Sequence, residues 1–570
     1  MLRLVTLFIL LTKSSLNSQP NDCIAMNLNE NCCLIIPAIK KNVAFADDLV
    51  KKLDGISLIQ RIISKAISFI SAKNVVVITD SEEISLICIR NSIGYRYQQN
   101  LKIHSPDFIE DLRVQLLEIS ENYECLILLW PYVPMLSEDI LHEAFQLFSK
   151  EEPDRLITVR EENHRIFRTS QNFTEFLFRK TGEKFLTEAR AFQIVSTQWL
   201  HSSIQNGKTL PYFLPDEMVE IENYQDWWVC EKLLQKKRIV FFVIGYAEVG
   251  MGHIYRSLAL AHEISDHEVI FICTKKSELA ANQIAGLEYV VKCVEENELC
   301  SEILRLQPDL LICDALNTSP DLIREMKVRK IRTVCFEDLG EGGKEADLTI
   351  NELFDQPLFE ASNTLWGREY FFLRDEFQDA SPNLKCDRVE NILITFGGTD
   401  PENFTLKCLK TIAPLCEELG IVVNVVTGPA YEHCEELEEW ISQKTILRIN
   451  HTNATGVMSH IMENIQLAIS SNGRTVYELA HMNIPAIVIP QHEREKTHLF
   501  SCLENGFWNI GITDHDKLPE VLSAAFKKLV LEADIRLTLF ENMHSLNFKE
   551  NKTKVLTQIL GLLTKNDTQS

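Results

Sequence analysis

The sequence predicts an α/β protein made of three units, the last two doubly wound, and three observations carry that expectation. Apolar strand-like runs alternate with amphipathic helical stretches along most of the chain, the pattern that crossover connections in a parallel sheet produce. At 570 residues the chain is too long for one hydrophobic core, since domains usually hold about 100–200 residues. The alternation also stops and restarts twice, after the charged CEKLLQKKR near Lys236 and after the polar QDASPNLKCDRVEN. The expected division is a signal-like or disordered segment 1–33, then units 34–235, 238–378 and 389–562.

In the first unit CCLIIPA, NVVVIT and ECLILLWPYVP read as strands, and ISLIQRIISKAISFI, DFIEDLRVQLLEIS and EDILHEAFQLFSK read as helices with apolar residues three and four apart. Strands separated by helices predict a parallel sheet. The second unit repeats the style with RIVFFVIGY, EVIFICT, DLLICDA and IRTVCFED, and the third with NILITFGGTDP, GIVVNVVTGP, QLAISSNG and IPAIVIPQ. Two such units in succession predict domains facing each other across a cleft, with ligand at the carboxyl ends of the strands.

Composition narrows the partners. With 57 Lys and Arg against 81 Asp and Glu, the formal charge of −24 opposes non-specific attraction to nucleic acid or to an anionic membrane surface. A phosphate-bearing ligand must then be held by local donors. Many of the 16 cysteines fall inside apolar strand-like runs such as VIFICTK, LLICDAL and RTVCFED, which suits buried thiols in a reduced, cytoplasmic setting. Cys32–Cys33 and the scattered histidines lack zinc-site spacing, so no structural metal is expected. Against a cytoplasmic setting, residues 1–18 have the outline of a secretory signal peptide, and sequons at Asn172, Asn317, Asn403, Asn450, Asn453, Asn551 and Asn566 are compatible with secretion. Both compartments stay open. No later stretch approaches the roughly 20 apolar residues of a membrane span.

The chemistry concentrates where strands hand over to helices. In GYAEVGMGHIYRSLALA, Gly250 and Gly252 allow a tight turn, and a helix expected from near Ile254 points its amide donors at whatever lies above. His253 at the mouth of that turn can take a proton from water or a sugar hydroxyl. Gly397, Gly398 and Thr399 close another strand with a turn rich in backbone donors. Ser470, Ser471, Asn472 and Gly473 end a third, before a helix that opens with Arg474 and Thr475 and carries Glu478 in its first turn. Donors there can hold a diphosphate, and Glu478 can accept from two ribose hydroxyls.

From about 238 to 562 the chain resembles the UDP-sugar hydrolase of pseudaminic acid biosynthesis, a glycosyltransferase-B-like enzyme related to the glycosyltransferase that makes lipid II. The resemblance runs in order through GMGHIYRSLALA, DLLICD, FEDLGEGGKEADLTINE, GREYFFLRDEF, ILITFGGTDPENFTLKCL, VVTGPAYEHCEELEE and AISSNGRTVYELAHMNIPAIVI. It implies His253 as general base on the water that cleaves a nucleotide sugar, Gly250 and Gly252 as its turn, and a UDP site at Gly397, Gly398, Thr399, Ser471, Gly473, Thr475 and Glu478, with no cofactor. Asn472 stands where the family often has glycine, and CDAL at 313–316 lacks the tyrosine expected after the aspartate. The resemblance therefore implies UDP and leaves the sugar open.

The first unit, through LIIPA, LVKKLDGISLIQRII, VVVITDSEEIS, LILLWPYVPMLSEDI and VEIENYQDWWVCEKLL, resembles the acylneuraminate cytidylyltransferases that activate sialic acids with CTP. Those enzymes use a basic glycine-rich loop for the triphosphate and a pair of aspartates for Mg²⁺. Here the loop reads IPAIKKNVAFADDL, with Ile39 for the expected arginine and only Lys40 and Lys41 for the phosphates. The aspartates appear as Glu220 and Glu222, and the usual Asn-Gly before a later strand as Ala189-Arg190.

Taken together, the expected fold is α/β, with a Rossmann-like nucleotidyltransferase domain followed by a two-domain glycosyltransferase-B-like module. The leading expectation is a UDP-sugar hydrolase or glycosyltransferase module joined to a diverged cytidylyltransferase-like domain. Two alternatives stand beside it: a nonulosonic acid cytidylyltransferase using CTP and Mg²⁺, and a non-enzymatic nucleotide-sugar-binding scaffold.

Overall fold

Every residue of the first strand, β1 (Cys32–Ala38), is buried. That explains why CCLIIPA shows no polar alternation, since a parallel strand covered on both faces reads as one apolar run. In the computed structural model the described residues are 27–564 apart from 41–44, 46, 100–107, 163, 165, 171–172, 178–184, 203–206, 247–250, 454–457 and 512–515. The signal-like residues 1–18, Lys41, Asn172, Gly250 and Asn566 lie outside them. The chain divides into two compact units, Met1–Gln235 and Lys236–Ser570. The expected start of the first domain at Leu34 is corrected, because Leu28–Asn31 forms a helical turn and Cys32 and Cys33 already belong to β1.

The first unit holds a seven-stranded sheet of β1, β2 (Val75–Thr79), β3 (Gly94–Tyr97), β4 (Cys125–Leu129), β5 (Arg155–Glu161), β6 (Leu186–Ser196) and β7 (Thr209–Phe213), in the order β7-β5-β6-β4-β1-β2-β3. The expectation of a purely parallel sheet needs correction: β6 runs antiparallel to both β4 and β5. Helices α1 (Leu58–Phe69), α2 (Glu82–Arg90) and α3 (Glu138–Glu151) each begin after a serine. Ser57, Ser81 and Ser137 accept from the backbone N–H three residues on, satisfying a donor that the first turn leaves unpaired.

The second unit contains two doubly wound halves. Its first sheet runs β10-β9-β8-β11-β12-β13-β14, from β8 (Arg238–Val243), β9 (Glu268–Thr274), β10 (Val291–Val294), β11 (Leu310–Asp314), β12 (Arg332–Phe336), β13 (Leu348–Asn351) and β14 (Thr364–Trp366). Its second runs β17-β16-β15-β18-β19-β20, from β15 (Asn391–Thr395), β16 (Val422–Thr427), β17 (Ile449–Asn453), β18 (Leu467–Ser470), β19 (Ala486–Val488) and β20 (Phe507–Asn509). All pairs in both sheets are parallel.

The helices that matter below are α4 (Gly252–Ala261), α5 (Phe404–Leu419), α6 (Cys434–Ser442), α7 (Thr475–His481) and α8 (Asn551–Thr564). Helix α4 opens at Gly252, two residues before the expected start. The expected extent of the last unit, 389–562, is also corrected. Val555 and Ile559 of α8 join the core formed by Phe241, Phe271 and Ile312 of the preceding half. Lys552 pairs there with Glu263 and Asp375, so the chain crosses back at its end. Among the described residues no helix is long and apolar enough to cross a membrane.

Candidate active site

In a doubly wound sheet the strand order reverses at one place, and the diverging loops leave a crevice there. The reversal falls between β8 and β11 in one half and between β15 and β18 in the other. A cleft of about 450 Å³ lies between the halves, lined from both sides. Gly252 and His253 follow β8; Gly397, Gly398 and Thr399 follow β15; Ser471, Gly473, Thr475 and Glu478 follow β18, and all of them line this one cleft. Two glycines let the halves approach. A Cβ on Gly398 would meet Met251 at 2.9 Å, and one on Gly252 would press on Arg474 Cδ at 3.2 Å.

His253 is 6% exposed, and its Nδ1 lies 2.6 Å from Oδ1 of Asp314, the last residue of β11. A carboxylate only accepts, so this bond forms with the proton on Nδ1, which leaves Nε2 of the neutral ring as an acceptor; Arg256 Nη2, a donor, also lies 3.0 Å from Nδ1. Arg256, one helical turn on and fully buried, donates from Nε to Asp314 Oδ2 at 2.8 Å and also reaches Glu337 and Glu352. Ser257 donates its hydroxyl to Asp314 Oδ2 at 3.0 Å. Burial pushes the Asp314 carboxyl up, but the Arg256 guanidinium and His253 outweigh it and hold the group below its ordinary value. Glu337 is likewise held far below the carboxylate range against its burial, by Arg256, His253, Arg494 and Arg474. Its backbone takes a left-handed φ of 49°.

Across the cleft, Glu478 Oε1 accepts from Arg374 Nε at 2.8 Å, and Arg374 also pairs with Glu376. Helix α7 is fixed by Tyr477, which stacks between Phe371 and Phe500 with centroids 3.9 and 4.0 Å away. Asn472, the departure from glycine, is fully buried and donates from Nδ2 to the carbonyls of Glu495 and His498 at 2.7 and 2.9 Å. It braces the segment that carries Gln491 and His498 along the cleft wall. Gln491 donates to the Phe396 carbonyl and His498 Nδ1 to that of Asn472, while Gln491 Oε1 and His498 Nε2 find no partner among the described residues. Both residues line the cleft, and each keeps one buried polar atom without a partner among the described residues.

Sequence reasoning missed Asp314, Arg256, Glu337, Glu352 and Arg374. A signal was present: Arg256 interrupts an apolar helix face, and Asp314, Glu337 and Glu352 sit at the carboxyl ends of the successive strands β11, β12 and β13.

In the first unit Lys40 is engaged by carboxylates, with Nζ 3.0 Å from Asp47 Oδ1 and 3.0 Å from Glu83 Oε2. The assignment of Glu220 and Glu222 to Mg²⁺ is corrected by their partner. Arg190 Nε lies 2.6 Å from Glu220 Oε1, its Nη2 2.6 Å from Glu222 Oε1, and its backbone N–H donates to Glu220 Oε2. A guanidinium fills the position between the carboxylates that the ion would need, so the residues present do not fit magnesium.

Residues 392–559 match the glycosyltransferase family 28 C-terminal domain. An uncharacterized protein of Methanocaldococcus jannaschii is 30% identical over 311 residues, 49% of this chain and 63% of that protein, so the chain spans under two thirds of that relative. The spore coat polysaccharide biosynthesis protein SpsG of Bacillus subtilis is 27% identical over 265 residues, 45% of this chain and 77% of SpsG. The UDP-2,4-diacetamido-2,4,6-trideoxy-β-L-altropyranose hydrolase of Campylobacter jejuni is 24% identical over 245 residues, 41% of this chain and 85% of that enzyme. These matches support a glycosyltransferase-like module in the second unit.

Proposed function

We propose that the second unit is an enzyme that cleaves the sugar from a UDP-linked sugar, with His253 as general base. The observation that carries this reading is the His253–Asp314 pair, buried at the switch point of one sheet and opposite the glycine turns at the switch point of the other. UDP lies against the β15 and β18 turns, with the donors of Gly397–Thr399 and Ser471–Thr475 on the diphosphate and Glu478 on the ribose. His253 Nε2 takes a proton from water or an acceptor hydroxyl as that oxygen attacks the anomeric carbon. The bond from that carbon to the phosphate oxygen breaks, and UDP leaves. Asp314 stabilises the imidazolium that forms. The name of the Campylobacter relative, a hydrolase of a UDP-linked sugar, supports the substrate class.

For the first unit we read a cytidylyltransferase-like domain in which Arg190 takes the place of a divalent ion. Its clamp on Glu220 and Glu222 weighs against magnesium-dependent transfer from CTP.

The test is release of UDP from a panel of UDP-linked amino sugars, with the sugar product identified by NMR. Free sugar marks water as acceptor, and a glycoside marks transfer. His253→Ala is expected to lower turnover by about 10²–10⁴-fold while UDP affinity stays within a few-fold; a variant that turns over like the parent overturns the assignment.

A further inference from the structure

Away from the cleft, three side chains of different chemistry meet at the open edge of the last sheet. Cys434 and Glu438 lie four residues apart on α6, hence on one face, and Cys434 Sγ donates to Glu438 Oε1 at 3.7 Å. His451 comes from the edge strand β17, and its Nδ1 is 3.8 Å from the same carboxylate oxygen. One ligating atom from each of the three lies within 4.8 Å of the others, and no other such cluster occurs among the described residues. Around a tetrahedral ion with bonds of roughly 2.0–2.3 Å, ligand atoms sit roughly 3.3–3.6 Å apart. Small side-chain rotations close the difference, and Glu438, 66% exposed, is free to make the largest.

We propose that Cys434, Glu438 and His451 bind a zinc ion, with water in the fourth position. The ligand types select the metal. A thiolate disfavours magnesium and calcium, a thiolate with an imidazole suits zinc, and thiolate plus carboxylate balance its two charges. The surroundings already orient the histidine. His451 Nε2 lies 3.0 Å from Thr427 Oγ1, so a proton held there turns the Nδ1 lone pair toward the other two ligands. The three residues come from a helix and a strand separated by a loop, which is why no zinc spacing shows in the sequence. Bound there, the ion ties the unpaired edge of β17 to α6. It also braces a wall of the cleft, because Thr427, Gly428 and Pro429 line the cleft beside it.

The test is titration of the reduced full chain with Zn²⁺ against a chromophoric chelator, repeated with Co²⁺ as a spectroscopic probe. One tight equivalent of Zn²⁺ is expected, with a thiolate-to-cobalt charge-transfer band and tetrahedral d–d bands. Cys434→Ser and His451→Gln are expected to lose the band and to weaken Zn²⁺ at least tenfold, while Cys293→Ser, at an exposed thiol elsewhere, keeps both. Metal-free thermal midpoints of the variants should match the parent's, which separates lost ligation from lost folding. Absence of a tight equivalent, a cobalt spectrum without the thiolate band, or uptake unchanged in both variants overturns the proposal. None of these readouts depends on the sugar chemistry of the cleft.

Discussion

Asp314 and His253 are joined by a 2.6 Å hydrogen bond although they stand 61 positions apart and belong to different elements, the end of β11 and the start of α4. In the proposed mechanism the carboxylate orients the ring and compensates the charge it gains as the base. His253→Ala removes the proposed base and is expected to lower kcat by about 10²–10⁴-fold. Asp314→Asn keeps the size but removes the charge, so kcat should fall while UDP affinity changes little. Steady-state kinetics beside titration calorimetry check both, and a loss confined to KM contradicts the assigned roles.

The same pair sets a pH dependence of stability. Asp314 titrates in the fold below its ordinary 3.8, so its contribution is fully present above that value and is lost as pH falls through the lower, folded one. Urea unfolding at stepped pH should therefore show Asp314→Asn losing its deficit relative to the parent only in strong acid. A deficit that vanishes near neutrality points to a different titrating group.

Glu478 faces the cleft with one oxygen already on Arg374. Glu478→Ala deletes the acceptor proposed for the ribose, and hydrogen bonds to charged groups are worth about 1.5–3 kcal/mol. UDP affinity should fall by about ten- to a hundredfold, measured by calorimetry. Arg374 keeps its pairing with Glu376, so the thermal midpoint should move little; unchanged UDP affinity removes Glu478 from the nucleotide site.

Much of this arrangement was legible and some of it was not, for identifiable reasons. The turns at Gly252–His253, Gly397–Thr399 and Ser471–Gly473 are local: a strand, small residues and a helix start lie within a few positions, and all three line the cleft. The direction of β6 was hidden, because apolar periodicity is the same for parallel and antiparallel strands. Glu220 and Glu222 were readable as a carboxylate pair, but their cation sits 30 and 32 positions upstream, on β6. Asn472 was visible only as a departure; its meaning lies in the carbonyls of Glu495 and His498 that it holds.

Arg190 makes a distinct prediction for the first unit. Burial raises the pKa of Glu220, and Arg190 is the chief counterweight. Arg190→Gly opens the two carboxylates to a divalent ion and is expected to create Mn²⁺ binding that Glu220→Gln then abolishes, both followed by water-proton relaxation. The parent chain should bind no Mn²⁺ at this pair. Parental CTP turnover that needs Mg²⁺ and is lost with Glu220→Gln contradicts the clamp as the working state.

Arg256 is the residue on which the buried network depends. It is fully enclosed, and its donors engage Asp314, Glu337 and Glu352, carboxylates at the ends of three successive strands. Arg256→Met fills similar space but leaves these charges short of a partner, and breaking a buried pair from one side costs about 3–5 kcal/mol. Arg256→Lys should also fail, since a single ammonium cannot reproduce a planar fork spread over three acceptors. The guanidinium is the chief group that lowers Asp314 and Glu337 in the fold, so the deficit should be full at neutral pH and shrink only as pH falls below the ordinary carboxylate range, through those lowered values. Denaturant unfolding of both variants from neutral pH into strong acid reads this directly. A deficit independent of pH means that Arg256 acts by packing, and a lysine variant as stable as the parent means that charge alone, without the fork, holds the three strand ends together.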